Sequence, residues 1–147
     1  MRRILGATIA ALAALTMLIG GVQATPGGRV SMLLLRSGND LSEIGWSATG
    51  AITDSGDWST QNRIIGGSDH SKAFVVAQVL TTQVGSAGTF HLRFQGRENQ
   101  VVSFSGNWQL DRGTGAYAGW SGTGHWYAVS NPITGNLEFH LTGYVHA

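Results

Sequence analysis

The chain has 147 residues, nine Lys/Arg against eight Asp/Glu, 22 glycines and no cysteine. Near-neutral charge without Lys/Arg clusters excludes the electrostatic footprint of a nucleic-acid or anionic-membrane binder. The missing cysteines exclude disulfides, so packing and strand pairing must supply the stability.

The N-terminus reads as a secretory signal peptide. Arg2 and Arg3 are followed by an apolar or small run from Ile4 to Val22, and Val22-Gln23-Ala24 fits the small-x-small cleavage pattern. Cleavage after Ala24 predicts a secreted or extracytoplasmic protein with one domain over 25–147, no longer membrane-bound. It removes two arginines, which leaves seven basic and eight acidic residues and a net charge of −1. A retained anchor is the alternative, because 19 apolar residues can just span a bilayer.

Eight strands are expected after that: Val30–Arg36, Ile44–Thr53, Trp58–Ile65, Lys72–Thr82, Thr89–Gln95, Gln100–Leu110, Ser121–Ser130 and Leu137–His146. Gly/Asn/Asp/Ser breaks separate them at short, even intervals. They include Asp54-Ser55-Gly56-Asp57, Gly66-Gly67-Ser68-Asp69 and Gly96-Arg97-Glu98-Asn99. Ala116–Trp120 fits one helical turn. Alternation is clearest late in the chain, where Phe90, Leu92 and Phe94 oppose His91, Arg93 and Gln95. One buried and one wet face per strand predicts an all-β domain, a single eight-stranded antiparallel barrel, with an open sandwich as the alternative.

The richest segment is Gly113-Thr114-Gly115-Ala116-Tyr117-Ala118-Gly119-Trp120-Ser121-Gly122-Thr123-Gly124. It has no lysine and no helical continuation, so it is not a nucleotide loop. Gly113, Thr114, Gly115, Tyr117 and Gly119 are read as a structural turn, with positive φ at Gly115 and Gly119. Together with the preceding Asp111-Arg112 and with Gly88–Gly96, the segment resembles bacterial members of the allene oxide cyclase-like and dirigent-like barrel superfamily. The resemblance covers about residues 85–146, and Arg112 stands where that family usually has a glycine. It implies an antiparallel barrel with an apolar central cavity, needing neither metal nor organic cofactor. The family's polar catalytic groups find no counterpart here, because the early strands offer Trp46, Trp58 and Asn62 without an acid. Its activity does not carry over.

No catalytic constellation stands out. The five histidines lack H-x-H or H-E-x-x-H spacing, so no metal is expected. Asp54 and Asp57 lack the calcium-loop pattern, and no Gly-x-Ser-x-Gly elbow occurs. The aromatics are more informative. Trp46, Trp58, Trp108 and Trp126 share strand faces with glycines, an arrangement that either fills the barrel or lines a slot for a flat apolar ligand. Asn62, His125 and Tyr127 are the polar candidates beside them. Trp126 is expected to point inward, opposite His125 and Tyr127. The sequence leaves oligomeric state open. It supports three readings: a barrel binding a small apolar or aromatic ligand, a cofactor-free isomerase or cyclase, and a filled structural barrel.

Overall fold

The computed structural model describes residues 27–66, 75–99 and 103–147. The signal-peptide run, the Gly67-Ser68-Asp69 break, His70 and Gln100–Val102 lie outside them. Eight strands form one closed antiparallel barrel in sequence order: β1 (Gly28–Arg36), β2 (Glu43–Gly50), β3 (Asp54–Gly66), β4 (Val75–Gly85), β5 (Thr89–Asn99), β6 (Ser103–Gly113), β7 (Ser121–Ser130) and β8 (Leu137–His146). β8 pairs with β1 from Gly28↔Val145 to Arg36↔Leu137, so no edge is left. The open sandwich is thereby set aside. A single 3-10 turn, Gly115–Tyr117, sits between β6 and β7.

Two predicted breaks are not turns. Asp54–Asp57 opens β3, and Gly96–Asn99 belongs to β5. Their glycines face inward and serve as sockets for indole rings. Trp46, Gly56 and Gly85 are directly opposite one another across β2, β3 and β4. Trp126, Gly106 and Gly96 repeat this across β7, β6 and β5, and Trp108, Gly124 and Gly143 across β6, β7 and β8. In each row the indole crosses the intervening strand. Its Nε1–H donates to the carbonyl preceding the far glycine: Val84, Gln95 and Thr142, each at 3.2 Å. A side chain on Gly85, Gly96 or Gly143 would collide with the ring. Small residues let the sheet coil tightly enough to close, and the aromatic ring replaces the packing they lack.

The two ends of the barrel differ. One end holds the Ala51–Thr53, Ser86–Gly88 and Thr114–Trp120 connections and is closed by an edge-to-face chain of rings. Trp46 meets Phe90 at 5.0 Å, Phe90 meets Tyr117 at 5.1 Å, and Tyr117 meets Trp120 at 6.2 Å. The Tyr117 hydroxyl donates to Asp54 at 2.6 Å. Asp54 also accepts from Ser86 Oγ at 2.7 Å and from the amides of Ser55, Ser86 and Ala87. Partial burial pushes the Asp54 carboxyl up, but these donors outweigh it and hold it at about 2. Burial and the adjacent carboxylate push the Tyr117 hydroxyl well above its ordinary value. Gly115 has φ 60° and Gly119 φ 80°, left-handed values on either side of the buried Tyr117.

Two outcomes follow for stability. A Cβ at Gly106 meets the backbone of Gln95 and Gly96, whereas at Gly119 it meets nothing within 4 Å. Gly106→Ala is therefore expected to cost about 3 kcal/mol by overpacking, and Gly119→Ala only about 1 kcal/mol for its left-handed backbone. Urea midpoints check the ranking; equal values contradict the socket role. Asp54 is ionised preferentially in the fold. Its contribution is complete above the unfolded carboxyl value of about 3.9 and is lost as pH falls through about 2. Asp54→Asn should cost about 2 kcal/mol at neutral pH and flatten the stability loss on acidification. An unaltered acid limb in urea titrations contradicts this.

Candidate binding cavity

Above the sealed floor the barrel is hollow. A cavity of about 270 Å³ opens toward the end that carries the β1–β2 and β7–β8 connections. Leu34, Trp58, Val79, Phe94, Trp126 and Phe139 form its apolar wall, with Leu41, Phe104 and Leu137 nearer the rim. Alternation places the strand residues among them inward, and the rings hold one another. Phe94 and Trp126 meet edge to face at 5.8 Å, Trp126 and Phe139 lie tilted at 6.1 Å, and Trp58 and Phe139 meet edge to face at 6.2 Å.

The polar lining is Arg36, Thr60, Arg63 and Thr81. Arg36 Nη2 donates to Glu43 Oε1 and to Thr60 Oγ1, both at 2.9 Å, and Thr60 Oγ1 donates to Glu43 Oε1 at 2.9 Å. The guanidinium also lies 5.2 Å from the centre of the Trp58 ring, whose Nε1–H donates to Leu35 O at 3.0 Å. Burial pushes the Glu43 carboxyl up, but Thr60 and the Arg36 hydrogen bond and charge outweigh it and leave it below its ordinary value. Glu43 Oε1 thus accepts from both Arg36 and Thr60 and holds the guanidinium in place. Below this trio, Gln83 is wholly buried and donates to Thr81 Oγ1 at 2.7 Å.

The candidate residues from the sequence divide cleanly. Trp58 and Trp126 line the cavity. Trp46 and Trp108 are buried in the packed part and do not reach it. Gly113, Thr114, Gly115, Tyr117 and Gly119 surround the floor, remote from the mouth. Asn62, His125 and Tyr127 are exposed on the outer surface and do not line the cavity. For His125 and Tyr127 the reason is alternation about the inward Trp126; Tyr127 stacks on His140 at 5.0 Å outside. For Asn62 the reason is a bulge. The β3–β4 register shifts between Thr60 and Asn62, the inward parity changes from even to odd, and Arg63, opposite Val79, reaches the cavity instead.

Arg36, Thr60, Arg63, Thr81 and Gln83 were not candidates from the sequence. Arg36 and Thr60 alternate correctly with Leu34 and Trp58, so period two alone was enough to place them inward. Gln83 fell in the predicted gap after Thr82, and Arg63 is invisible without the bulge.

Trp108 and Trp126 span equivalent glycine rows, yet only Trp126 borders empty space. Trp108→Ala should cost about 4 kcal/mol, and Trp126→Ala about 2 kcal/mol because the new void joins an existing one. Guanidinium unfolding of both variants checks the difference; a reversed order contradicts the placement of the cavity. Comparison of the chain with protein-family models and with curated proteins returns no match to either.

Proposed function

We propose that this is a secreted barrel of the allene oxide cyclase-like and dirigent-like type that binds a small apolar or aromatic molecule in its mouth-side cavity. The carrying observation is the asymmetry of the interior. Rings seal one end, while five further rings, Phe104 at the rim among them, border open space at the other. A filled structural barrel has no use for such a space, since an empty apolar void forfeits dispersion contacts. The volume lies just below the range common for drug-sized ligands, ~300–1,000 Å³, which fits a single ring or short chain. Family type rests on the glycine/threonine/aromatic turn and the eight-stranded closure. Secretion rests on Arg2, Arg3, the apolar run and Ala24. Among the described residues the lining includes no carboxylate, which favours binding over an isomerase's proton transfer.

Trp58 and Trp126 make the reading testable by emission. A panel of small aromatics and short aliphatics is expected to shift tryptophan fluorescence and raise the melting temperature. Val79→Trp should fill the cavity and abolish both responses while leaving the ligand-free melting temperature within about 4 °C of the parent. A panel that moves neither signal in the parent protein overturns the reading.

A further inference from the structure

The outer wall of the barrel is concave along β1. A shallow groove of about 310 Å³ lies there, between β2 and β8. Its side chains stand in neighbouring rows. Thr49, Ser31 and Thr142 lie side by side across β2, β1 and β8. In the next outward row, Ser47, Leu33, His140 and Tyr127 do the same across β2, β1, β8 and β7. Alternation points all of them outward, whereas Met32, Ala48 and Leu141 between them are buried and offer the groove only backbone.

The chemistry of this surface is narrow. The hydroxyls of Ser31, Ser47, Thr49, Thr142 and Tyr127 border it, and none is hydrogen-bonded to another described residue. Each can both donate and accept. Among the described residues, no Asp, Glu, Lys or Arg lines the groove. Two charged side chains that share its strands are already engaged. Arg29 lies 5.8 Å from the centre of the Tyr144 ring, and Glu138 accepts from Asn131 at 2.7 Å and meets His140 Nε2 at 3.1 Å. An anion finds no cation in the groove, and a cation finds no carboxylate. The charge complement is a neutral molecule rich in hydroxyls.

Shape and spacing narrow it further. Tyr127 and His140 stack at 5.0 Å with 10° between their planes, a firm aromatic wall beside Leu33. Aromatic faces are electron-rich and attract polarised C–H bonds. Neighbouring strands lie about 4.8 Å apart, so Thr49, Ser31 and Thr142 repeat a hydroxyl at that interval. Alternate equatorial hydroxyls of a pyranose chair are separated by nearly the same distance. Tyr144, 53% exposed and two residues beyond Thr142, extends the face along β8.

We propose that this groove binds a neutral pyranose unit of an oligosaccharide. The sugar's hydroxyl edge meets Thr49, Ser31 and Thr142, and its C–H face lies against the Tyr127–His140 pair and Leu33. The site is outside the barrel and does not rest on the cavity reading.

The test is titration of the isotopically labelled parent protein with cellohexaose, chitohexaose, mannohexaose and the anionic hexagalacturonate, followed by nuclear magnetic resonance. At least one neutral hexamer is expected to shift the amide signals of Ser31, Ser47, His140 and Thr142 saturably, while the indole signals of Trp58 and Trp126 stay in place. Hexagalacturonate should bind more weakly. The double variant Ser31→Ala, Thr142→Val removes two hydroxyls from an exposed face and should weaken the neutral hexamer about tenfold. Unchanged affinity in that variant overturns the proposal. So do tighter binding of hexagalacturonate, shifts confined to the cavity, and silence from every hexamer. Groove signals that move with protein concentration alone also overturn it, because the occupant is then a second copy of the chain. Each of these failures leaves the cavity reading standing, since small aromatic probes report on it through Trp58 and Trp126. The parent titration decides the matter even if the double variant does not fold.

Discussion

The barrel depends on an exchange between indole and glycine across neighbouring strands. Each row of Trp–Gly–Gly places a large ring on one strand and removes two side chains from the next two. The missing side chains let the backbones approach and coil. The ring covers the exposed backbone, and its N–H satisfies a carbonyl two strands away. Curvature, packing and hydrogen bonding therefore come from the same residues. A small domain without disulfides has few other means of making closure stable.

The same device divides the interior. Where Trp46 and Trp108 lie across their rows, Phe90, Leu92, Leu110 and Val145 complete a dense core. Tyr117 enters from below and is pinned by Asp54. Toward the other end, Trp126 and Trp58 turn against Phe94 and Phe139, and the rings border a volume instead of filling it. The charged trio Arg36–Glu43–Thr60 belongs to this hollow half. Its members hydrogen-bond one another in a partly dry place, where such bonds are stronger than in water.

Most of the fold was legible because alternation is local. Phe90–Phe94, Leu137–Leu141 and Trp126 between His125 and Tyr127 each declare a buried face without reference to any other strand. The positive φ values at Gly115 and Gly119 were legible for the same local reason. The site was less so. Gly56 and Gly96 read as turns because a glycine that makes room for a distant ring looks, in one dimension, like a glycine that bends the chain. Asn62 and Arg63 exchanged faces through a bulge that no period reveals. Whether a given tryptophan packs or lines a cavity is set by what lies across the barrel, and that is a property of closure.

All strand neighbours but one are joined by a direct connection. The exception is the seam between β1 and β8, where Gly28 pairs with Val145 at the floor. In topology the seam is a hairpin whose turn has been cut. The sheet is accordingly a ring, and the order in which its strands are numbered is an accident of where the ring is opened. A circular permutant that joins the two seam strands through a short linker and starts at the β7–β8 connection would keep every strand pair. It would also trade the most distant pairing in the chain for a local one, moving the burden of loop closure, and the slowest step it imposes on folding, to another place in the barrel.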